Sequence, residues 1–382
     1  MTGVRDAITV AVGAGALTPD LLSGGGLVLD LGVDHPSTHG GMRLSLTLDG
    51  DRIVSADPRI GFVHRGAEKL FEVRDYRQIL MLANRHDWLS AFANELGIAL
   101  AVERMMGLTV PPRAVRLRTA LAEINRASAG LAFLGTVPGD DGRSVVRTVA
   151  EREALLTVLE EVTGGRVHVM FNRVGGVKED VPAGWIERTV AVLDRIGAVL
   201  PGRTATLLDD PAVRRAAGVG VVPAALVGSH GLSGPVARAS GVDLDLRRDE
   251  PYLDYADLDI PRTVRTDGDV PARLACLADD VAGALGLARH CLETLPAGPI
   301  AVRLPKLVRA PEGETYAWTE NPLGITGYHL VSRGGTTPWR LKARTASFAT
   351  LSALPDVLPG VTLPELPMVL ASLFFVLGDA DR

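Results

Sequence analysis

"MRLSLTLDGDRIVSADPRIGFVHRGAEKLFEVRDYRQILMLAN", residues 42–84, changes its hydrophobic period midway, and that change decides the fold class. Met42, Leu44, Leu46 and Leu48 alternate with Arg43, Ser45 and Thr47, the period-two signature of a strand with one buried face. "DGD" then separates this run from a second strand-like run, "RIVSAD", so a β-hairpin is predicted with Asp49 and Gly50 in its turn. From Gly66 onward apolar residues recur every three or four positions, the period of an amphipathic helix.

Working outward in both directions completes the architecture. Upstream, "GLVLDLGV" (26–33) supplies a third strand. Downstream, "DWLSAFANELGIALAVERMMG", "PPRAVRLRTALAEINRASAGLAFLG", "RTVAEREALLTVLEEVTGG", "GWIERTVAVLDRIGAVLPG" and "VPARLACLADDVAGALGLARHCLETLP" carry the helical period between Gly and Pro breaks. After Pro299 the chain turns rich in Pro, Gly and strand-like pairs such as "GYHLVSRGGTTPWRLKART". The expectation is an α+β protein: a small N-terminal antiparallel β region over 1–65, a large central helical bundle over 66–298, and an extended or β region over 299–382 that packs back on the bundle.

Composition removes several classes of function. A chain of 382 residues that is 47% hydrophobic can bury a large core. Its net charge of −5, with both signs interspersed, argues against nucleic acid as a partner. The two cysteines, Cys276 and Cys291, build no disulfide framework and no cysteine-ligated cluster, which fits a reducing, cytoplasmic setting. The apolar runs "ITVAVGAGAL" and "MVLASLFFVL" fall well short of the roughly 20 residues that a membrane-crossing helix needs, so both are assigned to the core. A glycine-rich nucleotide loop in a strand-turn-helix setting is not evident, which argues against an autonomous nucleotide-binding enzyme.

"DHPSTHGGMR" (34–43) brings His35 and His39 four residues apart. On a helix that spacing would align two metal ligands, but Pro36 and the Gly40-Gly41 pair bar a helix, so the metal reading fails and a loop remains. Two histidines, Ser37, Thr38 and the glycine pair suit a pocket lining, because glycine lets backbone approach a bound group.

These residues also carry a resemblance. "DHPSTHGGMRLSLTLDG", "IGFVHRGAEKLFEVRDY", "NRHDWLSAFANELGIALAVERMMG", "GGRVHVMFNRVGGVKEDVP", "VSRGGTTPWRLKART" and the closing "LGDADR" occur in the order and spacing of the D-type subunit of respiratory NADH-quinone oxidoreductase, or complex I, from about residue 28 to the end. That family is similar to the large subunit of nickel-iron hydrogenases, so the resemblance implies a hydrogenase-large-subunit-like fold. The hydrogenases hold their metal pair with four cysteines, and a chain with two mid-chain cysteines cannot do so.

The resemblance implies a peripheral subunit that binds no redox cofactor itself and forms one wall of a quinone chamber. A B-type subunit would form the other wall and carry the terminal iron-sulfur cluster, with C, I and H types as further partners. Membrane contact would come through those partners, at the cytoplasmic face. His39 falls on the family's headgroup-binding histidine and Asp140, in "GTVPGDDG", on the carboxylate paired with it, with Asp141 as an alternative. A quinone needs two protons along with two electrons, and an imidazole held charged by a carboxylate suits that delivery. Arg85 and His168 match residues beside the partner's cluster.

The family's "RMDY" reads "RHDW" here, so Trp88 stands where a tyrosine would offer a proton; indole donates one N–H and releases none. Trp88 is either a quinone contact or a core residue. Other departures concern the wall itself. "VPGDDGRSVVRTV" replaces an apolar run ending in aromatics, the link "AVRLPKLVRAPEGETY" is too short for an expected helix, and "ENPLGITG" lacks a basic and an acidic residue. Two readings follow: a working subunit, as a divergent second copy, or a non-catalytic scaffold paralogue in a complex I-like assembly.

Overall fold

A computed structural model describes residues 6–13, 26–29, 31, 35–38 and 41–382. The hairpin forms as its alternation dictates: β3 (Met42–Asp49) pairs antiparallel with β4 (Arg52–Arg59), and Gly50 takes φ 65° in the turn. Met42, Leu44, Leu46 and Leu48 are buried while Arg43, Ser45 and Thr47 are half-buried. The sheet differs from the expected one in two respects. The first residues of "ITVAVGAGAL", read only as core, belong to strand β1 (Asp6–Val12), which lies between β3 and β2 (Leu27–Leu29). The β1–β2 pair is parallel, so the N-terminal region is not wholly antiparallel. Adjacent runs of one chain can pair in parallel only when a connection carries the chain back, and alternation within a strand does not encode that choice.

"GAEKLFEVRDYRQILMLAN" splits into α1 (Ala67–Phe71) and α2 (Gln78–Ala83). Asp75 explains the break: its Oδ1 accepts the backbone N–H groups of Arg77 and Gln78 at 2.9 Å each, a local turn that competes with the helix. The longer helices stand where the period placed them: α3 (Ala91–Met106), α4 (Pro112–Leu134), α5 (Val149–Thr163) and α6 (Trp185–Asp209), the last running through Pro201. A two-residue hairpin, β5 (Asn172–Arg173) and β6 (Gly176–Val177), separates α5 from α6. Four short helices follow, α7 (Pro211–Arg215), α8 (Ala224–His230), α9 (Gly234–Ala239) and α10 (Leu246–Asp249), before the long α11 (Val270–Glu293).

Helix α11 packs along α4, with α6 and α9 beside it. The close approach to α4 depends on Gly130, where a Cβ would stand 2.3 Å from Val281 Cγ2. A buried ionic staple ties the same elements to the C-terminal sheet. Arg247 of α10 bonds Glu123 of α4 at 3.0 Å, and Arg238 of α9 bonds Glu320 at 3.0 Å while also pairing with Asp280 of α11. Each guanidinium gives several N–H donors to carboxylates, which offsets the cost of burying the charges.

The C-terminal stretch begins as expected and then departs. Strands β7 (Gly313–Asn321), β8 (Gly324–Ser332) and β9 (Arg340–Arg344) form an antiparallel meander against α3. From Ala346 the chain is helical rather than extended, in α12 (Ala346–Ser352), α13 (Leu354–Val357), α14 (Leu366–Ala371) and α15 (Leu377–Asp381). Helices this short, with proline near the start of α13 and α14, never run long enough to display their period. "MVLASLFFVL" is core, every residue of it buried. One hydrophobic cluster joins Val10 and Leu44 to Leu117, Leu274 and Phe374, so strands, bundle and C-terminal segment share an interior. Among the described residues no helix is long and apolar enough to cross a membrane.

Candidate functional site

The C-terminal segment is where distant parts of the chain meet. A 3-10 turn, Pro36–Thr38, docks there: Ser37 Oγ donates to the Phe375 carbonyl at 2.8 Å. The preceding His35 is 1% exposed, its ring set edge-on to Phe133, which in turn meets Phe374 edge-on. The backbone N–H of Ser37 donates to His35 Nδ1 at 3.1 Å, which fixes that nitrogen as an acceptor and the ring as neutral. Burial pushes the His35 pKa down to about 4. His35 is therefore a structural anchor of the loop. His39 lies outside the described residues.

Trp88 packs against the main core beside this loop, and its indole lies on Gly378. A Cβ at Gly378 would stand 2.4 Å from Trp88 Cζ3 and 2.5 Å from the His86 carbonyl oxygen, so only glycine admits the contact. Trp88, Phe92, Leu156 and Leu159 line a crevice of about 10 Å³, too tight for a quinone ring.

Behind Trp88 sits a group of titratable side chains that the sequence did not flag. His86 Nδ1 is 3.2 Å from Asp379 Oδ1, with 1% and 2% of the two side chains exposed. His86 Nε2 lies 3.1 Å from the Tyr328 hydroxyl, which donates to Asn94 Oδ1 at 3.3 Å. Asp379 also accepts the Ser347 N–H at 3.0 Å. Burial works to raise the Asp379 pKa, but the His86 and Ser347 contacts hold it below the usual carboxylate range. For Asp87, burial first and then the Asp379 charge outweigh the lowering contacts of Ser90 and His86 and push it up to about 6. Its Oδ1 accepts the N–H groups of Leu89 and Ser90 at 3.0 and 3.1 Å.

Arg85 and His168 are brought together. His168 Nδ1 is 3.1 Å from the Asn84 carbonyl, and Arg85 Nε donates to Asn84 Oδ1 at 3.0 Å. Partial burial, then the Arg85 charge, lower the His168 pKa. The buried Glu95 of α3 organises both, since its carboxylate accepts Asn84 Nδ2 at 2.8 Å and the backbone N–H groups of Met170, Phe171 and Asn172 at 2.7, 3.0 and 3.1 Å. Those bonds hold Met170 at φ 46°, a conformation a methionine seldom takes unaided.

Asp140 is exposed on the loop after α4, where its described ion pair is with Arg215 of α7. Asp141 accepts the Arg143 N–H at 2.9 Å. Among the described residues no group of His, Cys, Asp and Glu could hold a metal ion. Cys276 and Cys291 are buried on α11, and burial pushes both thiols up to about 12.

His86, Asp379, Tyr328 and Glu95 are the residues that sequence reading missed. "RHDW" and "LGDADR" hold two of them in plain view, but nearly 300 positions apart, with no spacing rule to connect them.

The region is built of buried histidine, carboxylates and aromatic rings drawn from the two ends of the chain. Comparison with known proteins gives the class. Residues 143–382 match the family described as respiratory-chain NADH dehydrogenase, 49 Kd subunit. The second D-type subunit of the NADH-quinone oxidoreductase of Salinispora tropica is 56% identical over 387 aligned positions, covering 100% of this chain and 99% of the relative. The first D-type subunit of Streptomyces coelicolor is 54% identical over 98% of each chain, and the second of Rhizobium etli is 38% identical over 93% of this chain and 95% of its own. The chain belongs to the family of the D-type, 49 kDa subunit of NADH-quinone oxidoreductase. It is thus part of an oxidoreductase whose activity resides in the whole complex.

Proposed function

We propose that this chain forms one wall of a quinone-reduction chamber, completed by a B-type iron-sulfur subunit, and that the complex couples the electron transfer to proton translocation. The observation that carries the reading is the convergence of the His35–Thr38 turn, Trp88 and the Phe133–Phe374 pair on one C-terminal segment. These buried rings anchor residues 35–38, which immediately precede His39 in the sequence. The partner's cluster supplies the electrons. This chain's part is to hold the headgroup and its protons.

His39 is the headgroup donor in this reading, with Asp140 holding the imidazole charged. Asp140 must exchange its Arg215 pair for His39, and a pair as exposed as that one is worth less than about 1 kcal/mol, so the exchange costs little. Trp88 offers the ring a flat apolar contact and no proton. Arg85 and His168, clustered around Asn84, face the partner's cluster, where a cation stabilises added electron density. The hydrogenase-like large-subunit fold, the C, I and H partners, the NADH site on another chain and a station at the cytoplasmic membrane face belong to the same proposal.

Replacing His39 by Ala in the purified complex should abolish quinone reduction while electron flow from the donor to an artificial acceptor continues. Full quinone turnover in that variant removes the site assignment. The scaffold reading is favoured by one observation, the crevice of about 10 Å³ at Trp88, and predicts that His39→Ala has no effect on either activity.

A further inference from the structure

We infer that the crevice beside Trp88 is a binding site for one water molecule, which accepts the Nε–H of Arg152 and donates to Asn125 Oδ1. This goes beyond the quinone-wall reading and stands whether or not that reading holds.

The polar lining sets the chemistry. Asn125 and Ser128 of α4 and Arg152 of α5 enter the crevice among rings, aliphatic side chains and Arg166. Asn125 is 8% exposed, and its own hydrogen bond orients the amide: Nδ2 donates to the Leu89 carbonyl at 2.7 Å. A turned-over amide would set two carbonyl oxygens against each other, so the oxygen is the other end. That atom, Oδ1, is buried and accepts from no described residue. Arg152 Nε is likewise buried and donates to none. A buried carbonyl oxygen or guanidinium N–H without a partner carries the full cost of its desolvation, and native interiors rarely leave such atoms unanswered.

The carboxylates of α5 do not answer them. Glu151 pairs with Arg203, Glu153 and Glu160 with Arg166, and Glu161 with Arg188. Arg152 is thus a half-buried cation whose own helix offers it no unengaged carboxylate. Burial, and then the Arg166 charge, lower its pKa below the ordinary arginine value against the pull of Glu153.

Size and charge select the occupant. At about 10 Å³ the crevice has room for one water molecule and nothing larger. A cation would be repelled by the Arg152 guanidinium, and an anion by the Asn125 carbonyl oxygen. Water answers both, accepting from one and donating to the other, with Ser128 as a further polar neighbour. The consequence is mechanical. Asn125 holds Leu89, the residue after Trp88, to α4, and the water joins Asn125 to α5. The loop that seats the Trp88 indole is thereby tied to two helices through one shared molecule.

A structure of the purified complex at a resolution that shows ordered water tests the site without any substitution. Density in the crevice within about 2.7–3.2 Å of both Asn125 Oδ1 and Arg152 Nε is expected. An empty crevice overturns the inference, and so does a direct bond between the two side chains or a water bonded to only one of them. A double-mutant cycle on the full chain in urea reads the coupling. Asn125→Leu and Arg152→Leu each remove one partner of the water, and the lost Asn125–Leu89 bond cancels because it occurs in both backgrounds. The second substitution should cost at least about twofold less, in the unfolding equilibrium constant, than it costs alone. Strictly additive effects overturn the inference. If a variant does not fold, the density decides.

Discussion

Glu95→Gln is the substitution whose effect follows most directly from the geometry. The Glu95 carboxylate receives four N–H donors, two on each oxygen: Asn84 Nδ2 and Met170 N on Oε1, Phe171 N and Asn172 N on Oε2. Glutamine keeps one acceptor oxygen and turns the other into an amine that confronts two donors. A buried hydrogen bond to a charged acceptor is worth roughly 1.5–3 kcal/mol, so losing two predicts a destabilisation on the order of 3–6 kcal/mol. Urea unfolding of the purified chain measures it as a fall in midpoint at unchanged slope. Hydrogen exchange locates it, with faster exchange expected at the amides of Met170, Phe171 and Asn172. A loss under about 1 kcal/mol, or unchanged protection at those three amides, would refute the idea that Glu95 organises the Arg85–His168 region.

Three further outcomes are expected. Burial depresses the His35 pKa from its ordinary value to about 4, so the folded chain binds fewer protons there than the unfolded chain; stability is complete above the ordinary histidine value and should fall by about 3 kcal/mol as pH drops through that window. Urea midpoints across that range should flatten by this amount in His35→Gln, and identical pH curves would show that the ring is not buried neutral. Gly378→Ala forces a Cβ against Trp88 and the His86 carbonyl, and should cost about 1–3 kcal/mol and alter tryptophan emission; an unchanged spectrum and stability would deny the contact. Iodoacetamide should leave Cys276 and Cys291 unmodified in the native chain and modify both in urea, because burial keeps the thiolates from forming, and native labelling would contradict that.

Much of the fold is legible in the residue pattern. Strict alternation from Met42 to Leu48 marks the hairpin, and the three- and four-residue period marks α3, α4, α5, α6 and α11, because long regular elements repeat their burial pattern many times. The parallel β1–β2 pair and the four short helices after Ala346 are not legible. Strand direction depends on how the chain returns, and helices of four to seven residues close too few turns to show a period.

The candidate site divides in the same way. "RHDW" and "GGRVHVMF" mark Arg85, Trp88 and His168 through their local motifs, and the structure brings Arg85 and His168 onto the same residue, Asn84. Asp140 is expected as a partner of His39, and its described partner is Arg215, a residue on an element the motif does not include. By itself, the sequence determined which histidines, carboxylates and aromatic residues this protein has, and with two cysteines it has too few for a four-cysteine metal site, since chemistry of that kind depends on composition. Only the tertiary structure decided that His86 meets Asp379 and Tyr328, and that Glu95 gathers the loop at Met170. Those contacts join residues tens to hundreds of positions apart, and their energies come from burial and from shared protons, neither of which exists until the chain has closed around them.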